Sequence, residues 1–144
     1  MSIRARVEDA EFLWKHERYE GAFLSALSAV AATARLRYPD RKATKDGDSF
    51  RQFLKSGRSG ELGVEFRGEP HPIEHIFYKW LRCELVHEGG LPVDIQFMPD
   101  ATPGALSIRA GGEPEFILKL SHGWFHYLLS LVANAPENRG VFKK

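Results

Sequence analysis

Apolar positions in this chain recur first with the period of a helix and later with that of a strand. Between residues 7 and 37, Phe12, Tyr19, Phe23, Leu27, Val30 and Ala34 return mostly at three- and four-residue steps, and no proline intervenes before Pro39. That pattern predicts one long helix. Its first half carries Phe12, Trp14, Tyr19 and Phe23, whereas its second half is rich in small residues (Ala26, Ser28, Ala29, Ala31, Ala32, Ala34) that let another helix approach closely. His16 falls on the apolar stripe, where a single hydrogen bond would satisfy it. After a polar connection, Asp48 or Ser49 is suited to cap a short helix with Phe50, Phe53 and Leu54 on one face, ending near Gly57. Residues 57–72, with four glycines and two prolines, read as a loop in which 64–66 form a short strand.

The most informative stretch is 71–90, HPIEHIFYKWLRCELVHEGG. Ile73, Ile76, Phe77, Trp80 and Leu81 stand at i, i+3, i+4, i+7 and i+8, the stripe of a helix facing a core. Pro70 and Pro72 suit its first turn, and Gly89 and Gly90 its end. Beyond it the period falls to two. Val93, Ile95 and Phe97, then Leu106, Ile108 and Ala110, then Phe116, Leu118 and Leu120 alternate with mostly polar neighbours, with turns expected at 99–104 and 111–114. A last helix is expected from about 121 to before Pro136, burying Phe125, Leu128, Leu129 and Val132, with a frayed tail from Glu137. The fold class is therefore mainly α: a bundle of the long first helix, the central helix and the last helix. A small antiparallel β-meander precedes the last helix.

At 144 residues with 43 % hydrophobic content, a single domain over 1–144 is expected. The charged N-terminus and the lack of any apolar run of about 18 residues argue against a leader or a membrane span, so a cytoplasmic protein with no membrane partner is expected. One cysteine, Cys83, agrees with a reducing compartment. Net charge is only +1, yet from Arg35 to Arg58 eight Lys or Arg face three Asp, a local excess of 8 − 3 = 5. Arg37, Arg41 and Lys42 in this stretch are candidate contacts to an RNA backbone. The plain alternative is a solvated linker.

Two residue types near the end of the central helix suit phosphodiester chemistry without a metal. Arg82 can stabilise phosphate oxygens and His87 can move a proton to or from a ribose hydroxyl. Tyr78 and Lys79 precede them as aromatic and basic auxiliaries. Glu84 extends the apolar stripe and would accept a hydrogen bond from His87 or from the Arg82 of a second copy, or else marks where the stripe leaves the core. On an ideal helix, five residues at ~100° each leave Arg82 and His87 roughly 140° apart. Either the helix unwinds or a second chain completes the site.

Arg82-Cys83-Glu84-Leu85-Val86-His87 has the form R-x4-H on a helical framework, preceded by aromatic and basic residues and followed by a glycine turn. In this the chain resembles the HEPN superfamily. The resemblance implies an antiparallel helical bundle and a metal-independent endoribonuclease of toxin, antiphage or RNA-processing type. It further implies 2′-OH attack on the adjacent phosphate at a composite homodimer site, no cofactor and no metal, and a cognate antitoxin or other protein partner. Cys83 after the motif arginine and the β-meander depart from that pattern. The reading of a different class is a non-catalytic HEPN-like RNA- or protein-binding or dimerisation module. A third is a zinc hydrolase built on His71, Glu74 and His75, which spell H-x-x-E-H, although Pro72 separates His71 from a regular helix. His122 and His126 repeat the i, i+4 spacing. The glycine-rich 57–63 lacks a P-loop lysine, so nucleotide binding has no motif behind it.

Overall fold

The computed structural model describes residues 2–58, 60–110 and 117–142. Two helices, α1 (Ile3–Lys15) and α2 (Tyr19–Arg37), replace the single helix expected over 7–37. The break is made by Glu17, whose φ of 57° is left-handed. The Arg18 N–H reaches back to the Leu13 carbonyl and the Glu17 N–H to that of Trp14, the pairing of a Schellman motif. Periodicity missed it because a non-glycine residue occupies the left-handed position. The turn also exposes His16, whose Nδ1 lies 2.9 Å from the Phe12 carbonyl, and leaves Phe12 62 % exposed. His16 is thus no core histidine.

Helix α2 is the centre of the molecule. Ala22, Phe23, Ala26, Leu27, Ala29, Val30 and Ala34 are fully buried on it, and α1, α3 (Asp46–Ser56) and the last helix pack around it. The small residues do what their size permits, bringing neighbours close. α3 starts three residues earlier than a cap at Asp48 would give, with Asp46 and Asp48 in its first turn where the helix dipole favours negative charge.

Residues 63–72 form a hairpin of β1 (Gly63–Phe66) and β2 (Glu69–Pro72), so Pro70 and Pro72 belong to a strand and not to a first helical turn. Arg67 and Gly68, at φ of 54° and 80°, make the two-residue reversal that suits strand twist. The central helix then runs from 73 to 87 in three parts: α4 (Ile73–Ile76), a π-helix (Phe77–Cys83) and α5 (Glu84–His87). Its expected stripe is inside, with Ile73, Ile76, Phe77, Trp80 and Leu81 all no more than 6 % exposed.

The expected antiparallel meander is corrected. β3 (Ile95–Met98) pairs parallel with β5 (Leu118–Ser121), and β4 (Ile108–Arg109) lies antiparallel on the far side of β5, giving the order β3-β5-β4. Leu118, Leu120 and Ser121 of β5 are the most deeply buried strand residues, which accounts for the last strand taking the middle place. The turn expected at 111–114, and Phe116, lie outside the described residues. Asp100 closes the sheet onto α6 (Gly123–Asn134) by accepting from the Gly104 and Gly123 N–H groups. Phe23 stacks on Phe97 at 4.3 Å and Phe77 meets Trp124 at 5.5 Å, joining sheet and helices in one core. The expected frayed tail is pinned instead. Asn138, in a 3₁₀ turn at Pro136–Asn138, is 1 % exposed and donates to Thr33 and to the Val132 carbonyl, while Glu137 pairs with Arg37.

Candidate functional site

The π-helix carries Arg82 into a cleft of about 470 Å³ between α1, α2 and α3. Short π segments inside α-helices are recurrent at functional sites because the wider turn re-aims side chains. Its lining combines the apolar Ile3, Ala31, Ala32, Leu36 and Phe50 with the polar or charged Arg35, Arg41, Asp46, Ser49 and Arg82. Arg35 is committed: it donates to the Tyr38 and Thr44 carbonyls and pairs with Asp46. Arg41, 71 % exposed, reaches the same Asp46 oxygen at 3.4 Å. The hydrogen bond from Arg35, with the nearby charges of Arg41 and Arg82, holds the Asp46 carboxyl below its ordinary pKa.

Arg82 differs from its neighbours. The part-buried arginines Arg6, Arg35, Arg37, Arg51 and Arg58 each pair with a carboxylate, whereas Arg82, also part-buried, has neither an ion pair nor a hydrogen bond among the described residues. Its guanidinium lies 5.9 Å from the centre of the Tyr78 ring. Tyr78 is half-buried against Phe50, with Arg51 over it at 5.0 Å, and burial raises its hydroxyl pKa.

His87 stands exposed on the last turn of α5 beside Val86, which is 56 % exposed. It does not line the Arg82 cleft, and among the described residues no hydrogen bond joins it to Arg82 or Glu84. Within one chain the motif pair is therefore not brought together. Glu84 is half-buried and its charge acts on Arg67, whose pKa is raised first by the hydrogen bond to Asp94, then by the Asp94 charge, and least by Glu84. Lys79 is exposed with its amine 4.9 Å above Trp80. Of the expected backbone contacts, Arg41 and Lys42 are exposed, but Arg37 is engaged by Glu137 and by Ser56.

The H-x-x-E-H stretch is arranged for structure. Glu74 is 7 % exposed and its carboxylate is held by Arg58 at 2.7 Å, while His71 and His75 pack around Trp80 with ring centres 5.7 Å apart. Among the described residues no group of three or more His, Cys, Asp or Glu is placed to hold a metal ion. His122 and His126 lean on Trp14. A family model described only as Rv1289 matches residues 2–142. The chain belongs to the Rv1289 family. No curated protein and no solved structure matches it. For this Rv1289 family member, no described helix is long and apolar enough to cross a membrane.

Sequence patterns alone did not single out Arg35, Asp46 or Arg51. The charge excess over 35–58 flagged their region, but which cations are neutralised depends on how α3 folds back against α2. One signal was readable: His75, Tyr78 and Arg82 stand at i, i+3 and i+7, the spacing of one helix face.

Proposed function

We propose that this protein binds the phosphate backbone of RNA, with Arg82 as the principal phosphate contact and Arg41 beside it. One observation carries the reading: a part-buried guanidinium that makes no ion pair or hydrogen bond among the described residues, lining an open cleft. Asp46 feels the Arg82 charge without bonding to it, so among the described residues the donors of Arg82 stay free, and their planar fork matches phosphate oxygens. Lys42, in the loop after α2, and Lys79, on the π-helix, are both exposed and add positive charge to these segments. In this reading the chain is a HEPN-like binding module. Fluorescence anisotropy with a labelled single-stranded RNA tests it. Arg82→Ala weakens binding by ~10-fold or more, the worth of a charge-assisted hydrogen bond. An unchanged affinity rejects the proposal.

A second reading, the HEPN-type endoribonuclease, is favoured by His87 and Val86 standing exposed together on one turn. An imidazole beside an exposed aliphatic group suits a face covered by a second copy, which would bring His87 to the Arg82 of its partner. There His87 takes the 2′ proton, the 2′ oxygen attacks phosphorus, and the bond to the 5′ oxygen breaks, that oxygen taking a proton from water to leave as a 5′ hydroxyl while the other fragment ends in a 2′,3′-cyclic phosphate. Cleavage in EDTA that is lost in His87→Ala while RNA binding survives supports this reading. Equal backgrounds for both proteins leave the binding module alone.

A further inference from the structure

The face of the central helix that bears Arg82 also bears His75, set beside a cation that α3 supplies. His75 lies seven residues before Arg82 and Tyr78 lies between them. From α3, Arg51 spans the same interval. Its Nη1 is 3.5 Å from His75 Nδ1, its guanidinium sits over Tyr78, and its Nη2 donates to Asp48 at 2.9 Å. A guanidinium has no acceptor, so in this contact Nδ1 carries the lone pair and Nε2 the proton. His75 thus presents an N–H donor next to a cation.

We propose that Arg51 and His75 form a second phosphate subsite, so that the ligand is a single RNA strand lying along the α3 side of the central helix from Arg82 to His75. This rests on the RNA-binding reading above and names the form of RNA and its path. Seven residues at ~1.5 Å each separate the two subsites by on the order of 10 Å. A strand of a few nucleotides bridges that gap, and a mononucleotide does not. The charge on this face supports the path. Lys79 lies between the two subsites in sequence, the buried acid Glu74 is neutralised by Arg58, and the exposed Asp48 takes only the Nη2 side of Arg51.

His75 also makes the subsite responsive to pH. Burial first, then the charges of Arg51 on α3, His71 on β2 and Lys79 on the π-helix, lower its pKa below 6.5, against a smaller opposing effect of Glu74. The free protein therefore holds His75 neutral near pH 7. A bound phosphate favours the imidazolium, so affinity rises as pH falls, by up to about tenfold for each unit by which the phosphate raises the pKa.

The test measures binding of uridine monophosphate and of a labelled oligouridylate of ten nucleotides, between pH 5.5 and 8 and over a range of salt. The proteins are wild type, His75→Gln, His71→Gln, Arg51→Ala and Arg82→Ala, with thermal melts to show that each variant is folded. The expected result is a strong preference for the oligonucleotide and a gain in affinity at low pH. That gain persists in His71→Gln and vanishes in His75→Gln. The salt slope is reduced by ~0.7 in Arg51→Ala, the value for one phosphate of a single strand. If Arg82→Ala loses binding while His75→Gln and Arg51→Ala keep the wild-type pH and salt dependence, the second subsite is wrong and the RNA-binding reading stands. If Arg82→Ala binds like wild type, both fall.

Discussion

Replacing Arg58 by methionine removes the cation that holds Glu74. The two side chains are 17 % and 8 % exposed and their contact is 2.7 Å, closer to the interior than to the surface regime. Breaking a buried pair by deleting one partner costs ~3–5 kcal/mol, against ~0–1 kcal/mol for exposed pairs. For a chain of this length, 1 kcal/mol moves the melting temperature by about 4 °C, so Arg58→Met should melt ~10–20 °C below wild type. The double variant Arg58→Met with Glu74→Met leaves no unpaired charge and should recover most of that loss, since apolar replacement of a buried pair is often neutral. Among the described residues Arg58 Nε has no partner, so within them the pair is imperfectly satisfied. Calorimetric melts of wild type, both single variants and the double close the cycle, with an expected coupling of ~2 kcal/mol or more. A melting point for Arg58→Met within ~3 °C of wild type would refute the reasoning. Glu74 would then be free for a chemical role.

Gly123 abuts the backbone of Ala105, and a Cβ there would overlap the Ala105 carbonyl, so Gly123→Ala should cost ~1–3 kcal/mol in a denaturant titration. Asn138→Ala, which strips two donors from the buried end of the chain, should cost ~1–3 kcal/mol and raise hydrogen exchange in the last turn of α6. Acid stability follows from the depressed groups. Asp94 and Glu137 have pKa values lowered by their arginine partners, so their contribution is present above the ordinary carboxylate range and is lost as pH falls through the lowered values. The lowered pKa of His75 acts earlier. Its neutral form is the one the fold favours, so stability declines as pH falls below ~6.5, and His75→Gln should flatten a plot of melting temperature against pH between 5 and 7.

What the sequence made legible was periodic. The stripe Ile73, Ile76, Phe77, Trp80, Leu81 is buried as its spacing requires, and so are Phe50, Phe53 and Leu54 on α3. What it hid depended on contacts distant in the chain. The α1–α2 break turns on one left-handed glutamate that no composition rule marks. Parallel pairing of β3 with β5 is decided by which strand the core covers best, and three short alternating runs look alike whichever lies in the middle. The tail reads as polar, yet Asn138 is buried because Thr33, 105 residues earlier, offers its hydroxyl. At the site, R-x4-H drew attention to Arg82 but equally to His87, and the two part company because an α-turn follows the π-helix. That Arg82 alone lacks a carboxylate among the part-buried arginines described emerges only when all the ion pairs are drawn.

The central claim is that Arg82 meets a phosphate of RNA, and the salt dependence of binding tests it most directly. Affinity for a single-stranded oligoribonucleotide is measured from 50 to 300 mM salt for wild type and Arg82→Ala, with Arg109→Ala as an exposed control outside the cleft. Each phosphate neutralised contributes ~0.7 to the slope of log affinity against log salt. The account predicts that Arg82→Ala weakens binding and lowers the slope by about that amount, while Arg109→Ala leaves both unchanged. Identical slopes and affinities for wild type and Arg82→Ala would contradict it.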